Sequence, residues 1–164
     1  MNKHKYLLAA LACLAVIAFF SGQPFADQDM SGEIAGRGWL VERVRELPPI
    51  QFSYYNIKVD SRRSPVDFIQ VFIRKGAHVL LYGVLGLFLA GALRGAGLRG
   101  SLRWLAAGGL VALAGALDEW HQVSVSGRTG RPGDVLIDLG GFALFAAAAV
   151  LIRRIKVMMH TVTK

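Results

Sequence analysis

The residues able to do chemistry crowd into Asp118 to Asp138, DEWHQVSVSGRTGRPGDVLID, which sets four carboxylates and two arginines between two strongly apolar runs. Such a mixture can pair with itself, take a charged ligand, or move protons in acid–base work. Asp118 and Gln122 are four apart and Glu119 and Gln122 three apart, so on a helix they share a face. Asp134, Asp138 and Gly141 repeat that spacing, giving a carboxylate stripe that ends at a residue small enough for close helix contact. Upstream, Lys75, His78 and Tyr82 fall on one helical face, with Arg74 one turn before His78. Gly127-Arg128 suits a tight turn that folds an arginine back toward the carboxylates.

The elements that must carry these residues are apolar. Of 164 residues 54% are hydrophobic, and the mean hydropathy of +0.43 exceeds that of ordinary soluble domains, which makes a membrane protein the first reading. Four spans are predicted over about 6–22, 77–93, 104–123 and 135–152. The first, preceded by Lys3 and Lys5, reads as a retained anchor rather than a cleaved signal, because the best cleavage point, after Ala26, has Pro24 where a small residue belongs. Between the first two spans lies a long water-facing loop over about 23–73. Within it Trp39, Leu40, Val44 and Leu47 predict a short amphipathic helix stopped by Pro48 and Pro49. QFSYYNIKV predicts at most a short strand or hairpin. Ser64-Pro65-Val66-Asp67 reads as a helix start, with Ser as N-cap and Pro at the first helical position, and that helix runs to Leu93. The fold class is an all-α membrane protein, a bundle of four transmembrane helices in one domain over 1–164.

The formal charge of +8 does not point to nucleic acid once the charges are placed. With four crossings, one side holds Lys3, Lys5, Arg94, Arg99, Arg103, Arg153, Arg154, Lys156 and Lys164 and no acid. The other receives ten cations and all eleven acids. The positive-inside rule then puts both termini in the cytoplasm and the polar site on the outer face of the bacterial cytoplasmic membrane. The single cysteine, Cys13, excludes an intrachain disulfide. Trp39, Trp104 and Trp120 read as interfacial anchors, and His121 as solvent-facing.

Ionisable groups at this depth cost on the order of 3 kcal/mol each at a helix centre. Arg74, Lys75, Arg128 and Arg131 against Asp118, Glu119, Asp134 and Asp138 offset that cost by mutual pairing. Oxygen-rich sites built from those acids with His78 suit magnesium, calcium or manganese, but the four cations already satisfy the charge, so neither a metal nor another cofactor is expected. Two readings stand: a structural ion-pair network that fixes helix register, or a ligand or catalytic site. In the catalytic reading Glu119 or Asp118 is the general base, assisted by His78.

The motifs RKGAHVLLY (74–82), DEWHQ (118–122), GR (127–128) and D-x-x-x-D-x-x-G (134–141) occur in the order seen in the VanZ-like family of membrane proteins, which this chain resembles over roughly Pro65 to Ile152. The matched positions are Arg74, Lys75, His78, Tyr82, Asp118, Glu119, Gln122, Gly127, Arg128, Asp134 and Gly141. Asp138 departs from the pattern, since the family usually has asparagine there. The family is named for a protein linked to resistance to the glycopeptide teicoplanin. The resemblance therefore implies a cell-envelope setting, with membrane lipids and an envelope precursor or lipid-linked headgroup as partners. It implies no reaction. Binding of such a headgroup and acid–base catalysis on it are both compatible with these residues.

Overall fold

The computed structural model describes residues 2–54 and 57–162. The chain forms two compact units, Met1–Pro24 with His78–Lys164, and Phe25–Ala77. The first is a helix bundle built from α1 (Lys3–Ser21), most of α4 (Pro65–Gly95), α5 (Gly100–Val123) and α6 (Pro132–Val162). All four helices are long and apolar enough to cross a membrane.

The bundle turns much of its apolar surface outward. Leu8, Leu105 and Leu136 are 66%, 72% and 71% exposed, an arrangement that is stable where lipid is the solvent. Its interior is packed from Ala10, Ile17, Tyr82, Leu85, Ala90, Ala107, Val111 and Phe142, so α1 is an integral wall of the bundle. Small residues bring the helices together. A Cβ at Gly91 would fall 2.5 Å from the Tyr6 ring, and one at Gly83 would fall 2.6 Å from Phe145. With no hydrophobic force between helices in lipid, such close backbone approach is what holds them.

Helix ends follow local chemistry. Pro65 opens α4 as its position predicts, and the Ser64 carbonyl accepts from the Phe68 N–H at 3.0 Å. The Ser64 hydroxyl is donated to the Asp60 carbonyl at 3.3 Å instead of turning to the helix. The helix closes at its other end by paired bonds from Gly97 N–H to Arg94 O and Leu98 N–H to Leu93 O, the Schellman pattern, with Gly97 at φ +101°. The helix that carries the fourth span continues past residue 152. With neither glycine nor proline after Gly141, nothing breaks the helix, and α6 continues to Val162. Lys164, counted among the basic-side charges, lies outside the described residues. Trp104 is not a free anchor: it packs on Phe142 with ring centroids 6.2 Å apart and lies under the Arg103 guanidinium. Trp39 and Trp120 are exposed.

The segment over 23–73, expected as a long loop with a short helix and a hairpin in it, lies almost wholly in the second unit. It holds a 3-10 turn (Phe25–Gln28), α2 (Ser31–Ala35), α3 (Gly38–Glu46), an antiparallel hairpin of β1 (Gln51–Tyr54) and β2 (Ile57–Asp60), and the first turns of α4. Hairpin register runs from Gln51 opposite Asp60 to Tyr54 opposite Ile57; residues 55 and 56 of QFSYYNIKV lie outside the described residues. Its core is Ile34, Val41, Val44, Val59, Phe68 and Ile69. Helix α3 therefore buries Val41 and Val44, whereas Trp39 and Leu47, expected on the apolar face, are exposed. Asp60 closes the hairpin by accepting the N–H groups of Arg62 at 2.8 Å and Arg63 at 2.9 Å and the amide of Gln51 at 2.8 Å.

Candidate functional site

Within the bundle, α4, α5 and α6 bring His78, Asp118, Glu119 and Asp138 together. His78 Nδ1 lies 3.0 Å from Asp138 Oδ1, and Asp138 is fully buried. An ionised carboxylate only accepts, so this contact places the proton on Nδ1 and leaves Nε2 as the acceptor. Helix α6 reaches this depth because Gly141 carries no side chain. A Cβ there would fall 2.5 Å from the Val79 carbonyl oxygen and 2.7 Å from its Cα.

Asp118 and Glu119 are 9% and 5% exposed. Gln122, one turn on, donates its amide to Asp118 Oδ2 at 2.9 Å and to Glu119 Oε1 at 3.5 Å. The second oxygen of Glu119 accepts the backbone N–H of Arg131 at 2.6 Å. The expected pairing of these two acids with arginine or lysine is not what forms: among the described residues, no cationic side chain makes an ion pair with either.

Arg128 explains why. The turn that presents it is the predicted one, with Gly127 at φ +71° and Arg128 N–H bonded to Val125 O at 3.1 Å. Its guanidinium, however, spans to the end of α1, donating to Phe20 O at 3.1 Å, Gln23 O at 3.2 Å and Gln122 Oε1 at 3.5 Å. Burial pulls its pKa below the ordinary value, and the fields of Asp118 and Glu119 push it back up. Arg131 sends its side chain to Thr129 Oγ1 at 3.2 Å. Arg74 and Lys75 belong to the Phe25–Ala77 unit, where Arg74 stacks over Phe25 and Lys75 over Tyr54.

Tyr82 stacks on His78 with ring centroids 5.9 Å apart and is 1% exposed. Its hydroxyl lies beside the Asp118 carboxylate without completing a hydrogen bond there or elsewhere among the described residues. Asp134, in the first turn of α6, is buried with the others. One nitrogen of His78 and one oxygen each of Asp118 and Glu119 lie within 4.8 Å of one another. That is close enough for a shared cation.

One contact lay outside the expectations. His121 Nδ1 lies 3.2 Å from Ser21 Oγ, so it ties α5 to the end of α1, although its ring is exposed. No spacing rule links residues a hundred positions apart.

The opposite end of the bundle is basic. A cavity of about 1130 Å³ there is lined by Arg94, Arg99, Arg103, Arg153 and Arg154 around Trp104. Acids gather at one end and arginines at the other. No curated protein and no solved structure matches the chain. The VanZ/LLP1 family profile matches residues 6–153, nearly the whole sequence, and the chain is therefore a multi-pass membrane protein of the VanZ/LLP1 family.

Proposed function

We propose that this protein binds the headgroup of an envelope or lipid-linked molecule in the buried polar site at the acidic end of its bundle, and thereby lowers susceptibility to glycopeptides such as teicoplanin. The observation that carries the reading is the burial of Asp118, Glu119 and Asp138 beside a half-buried His78 within apolar helices. Intramembrane ionisable groups are expensive and mark sites of function. The site faces the outer side of the cytoplasmic membrane and both termini face the cytoplasm, because the arginine-lined end follows the positive-inside rule. Carboxylates there meet hydroxyls or amines of the headgroup, and Arg128 borders the site as a fixed positive charge.

The His78–Asp138 contact favours a second reading, acid–base catalysis on such a headgroup with Glu119 or Asp118 as base. Wild type, Glu119→Gln and Arg128→Ala, compared at matched membrane levels for glycopeptide susceptibility and for lipid-linked precursors by mass spectrometry, separate the two. Altered susceptibility with an unchanged precursor profile supports binding. A precursor that accumulates or disappears with Glu119 supports catalysis. Wild-type susceptibility in both variants removes the resistance role. A periplasmic reporter that is active at the C-terminus overturns the orientation.

A further inference from the structure

We infer that His78, Asp118 and Glu119 form a divalent metal site. The three offer one imidazole nitrogen and two carboxylate oxygens whose donor atoms all lie within 4.8 Å of one another. Ligands bound about 2.0–2.6 Å from one ion lie at most about 4–5 Å apart, so the three donors are within reach of a common ion.

Charge supplies the need for an ion. Two adjacent carboxylates, 9% and 5% exposed, sit in a membrane helix without a cationic ion-pair partner among the described residues. The charge of Arg128 is felt at both carboxylates, but its hydrogen bonds go to the carbonyls of Phe20 and Gln23 and to Gln122. Burying such a pair of anions unneutralised is strongly unfavourable, and one dication neutralises both.

The surroundings have the form of a metal's outer shell. Asp138 holds His78 Nδ1 at 3.0 Å, which is how ligating histidines are oriented and their free nitrogen made more basic. Gln122 and the Arg131 N–H fix oxygens of both carboxylates. Tyr82 is the independent observation. It is 1% exposed, it stacks on His78, and its hydroxyl stands at Asp118 without a hydrogen bond of full geometry to it or to any other described residue. A buried hydroxyl is seldom left unsatisfied, and an ion or its bound water completes it. One nitrogen with two carboxylates fits manganese or zinc better than calcium, which takes six to eight oxygens.

The inference goes beyond the headgroup reading and does not rest on it, since metal content is measured without lipid substrate. Purified full-length protein, stripped with chelator and then equilibrated with Mn²⁺ or Zn²⁺, is counted by elemental mass spectrometry. Mn²⁺ binding is titrated by electron paramagnetic resonance. The expected result is one ion per chain, with nitrogen coupling from His78 in the wild-type Mn²⁺ spectrum. Affinity should fall by roughly tenfold or more in His78→Gln and Glu119→Gln, and stay near wild type in Arg94→Gln at the far end. Folded wild type that takes up no ion at millimolar Mn²⁺ and Zn²⁺ overturns the inference, as does an ion retained in both site variants. Should a variant fail to fold, the wild-type spectrum decides: absence of nitrogen coupling is equally fatal.

Discussion

His78 and Asp138 meet across two helices at 3.0 Å, with the carboxylate fully buried. Removing the donor of a buried hydrogen bond to a charged group leaves the carboxylate without compensation, at a cost of about 1.5–3 kcal/mol. We therefore expect His78→Ala to lower the unfolding midpoint of chelator-treated protein in detergent by that order. Asp138→Asn keeps an acceptor oxygen and restores the residue usual in the family, and it should lose no more than about 1 kcal/mol. A double-mutant cycle over the two positions checks the coupling, and strict additivity would refute it.

Arg128 bonds three oxygens from one planar group, and a lysine ammonium cannot reproduce that fork. Arg128→Lys should therefore behave like Arg128→Ala, each destabilising by about 1.5–3 kcal/mol as charged hydrogen bonds are lost. Equilibrium unfolding in mixed micelles measures it. Rescue by lysine would show that charge alone matters at this position.

Neighbouring glycines in α6 give opposite expectations. A Cβ on Gly141 meets the Val79 backbone, whereas one on Gly140 meets nothing within 4 Å. Gly141→Ala must push α4 and α6 apart and should cost about 1–3 kcal/mol. Gly140→Ala should be neutral or stabilise by up to about 1 kcal/mol through helix propensity. Thermal melts of the two variants side by side give the comparison.

Acid should loosen the hairpin through Asp60. The N–H groups of Arg63 and Arg62 hold its carboxyl below the ordinary value of 3.8, against the opposing effect of burial. The unfolded chain thus binds the proton more tightly than the folded one. The stabilisation is complete above about pH 4 and is lost as pH falls through the lower folded-state value. Hydrogen-exchange protection of the Arg62 and Arg63 amides should hold from neutral pH to about 4 and then decline. In Asp60→Asn that decline should be absent.

What was legible in the sequence was whatever depends on neighbours along the chain. Apolar run length marked all four spans, proline at a first helical position marked the start of α4, and Gly127 marked a turn. Spacings of three and four placed Asp118, Glu119 and Gln122 on one face. Partner choice across elements was not legible, because it depends on depth and rotation that periodicity does not encode. Charge matching suggested that Arg128 would seek a carboxylate, but its guanidinium donates to the carbonyls at the end of α1. The Phe25–Ala77 unit was hidden for another reason: its core draws only one or two residues from each of three helices and a hairpin, and none of those segments shows a long pattern alone.

The bond from Arg131 N–H to Glu119 Oε2 comes from the peptide backbone, not from the arginine side chain. Every replacement except proline preserves that donor. A saturation library would then score position 131 as permissive while the amide continued to hold Glu119 in place. Arg131→Pro, or an amide-to-ester exchange introduced by chemical ligation, would reveal it, and each should free the carboxylate to swing. Codon-level tolerance at this position would record the chemistry of the side chain and miss that of the main chain.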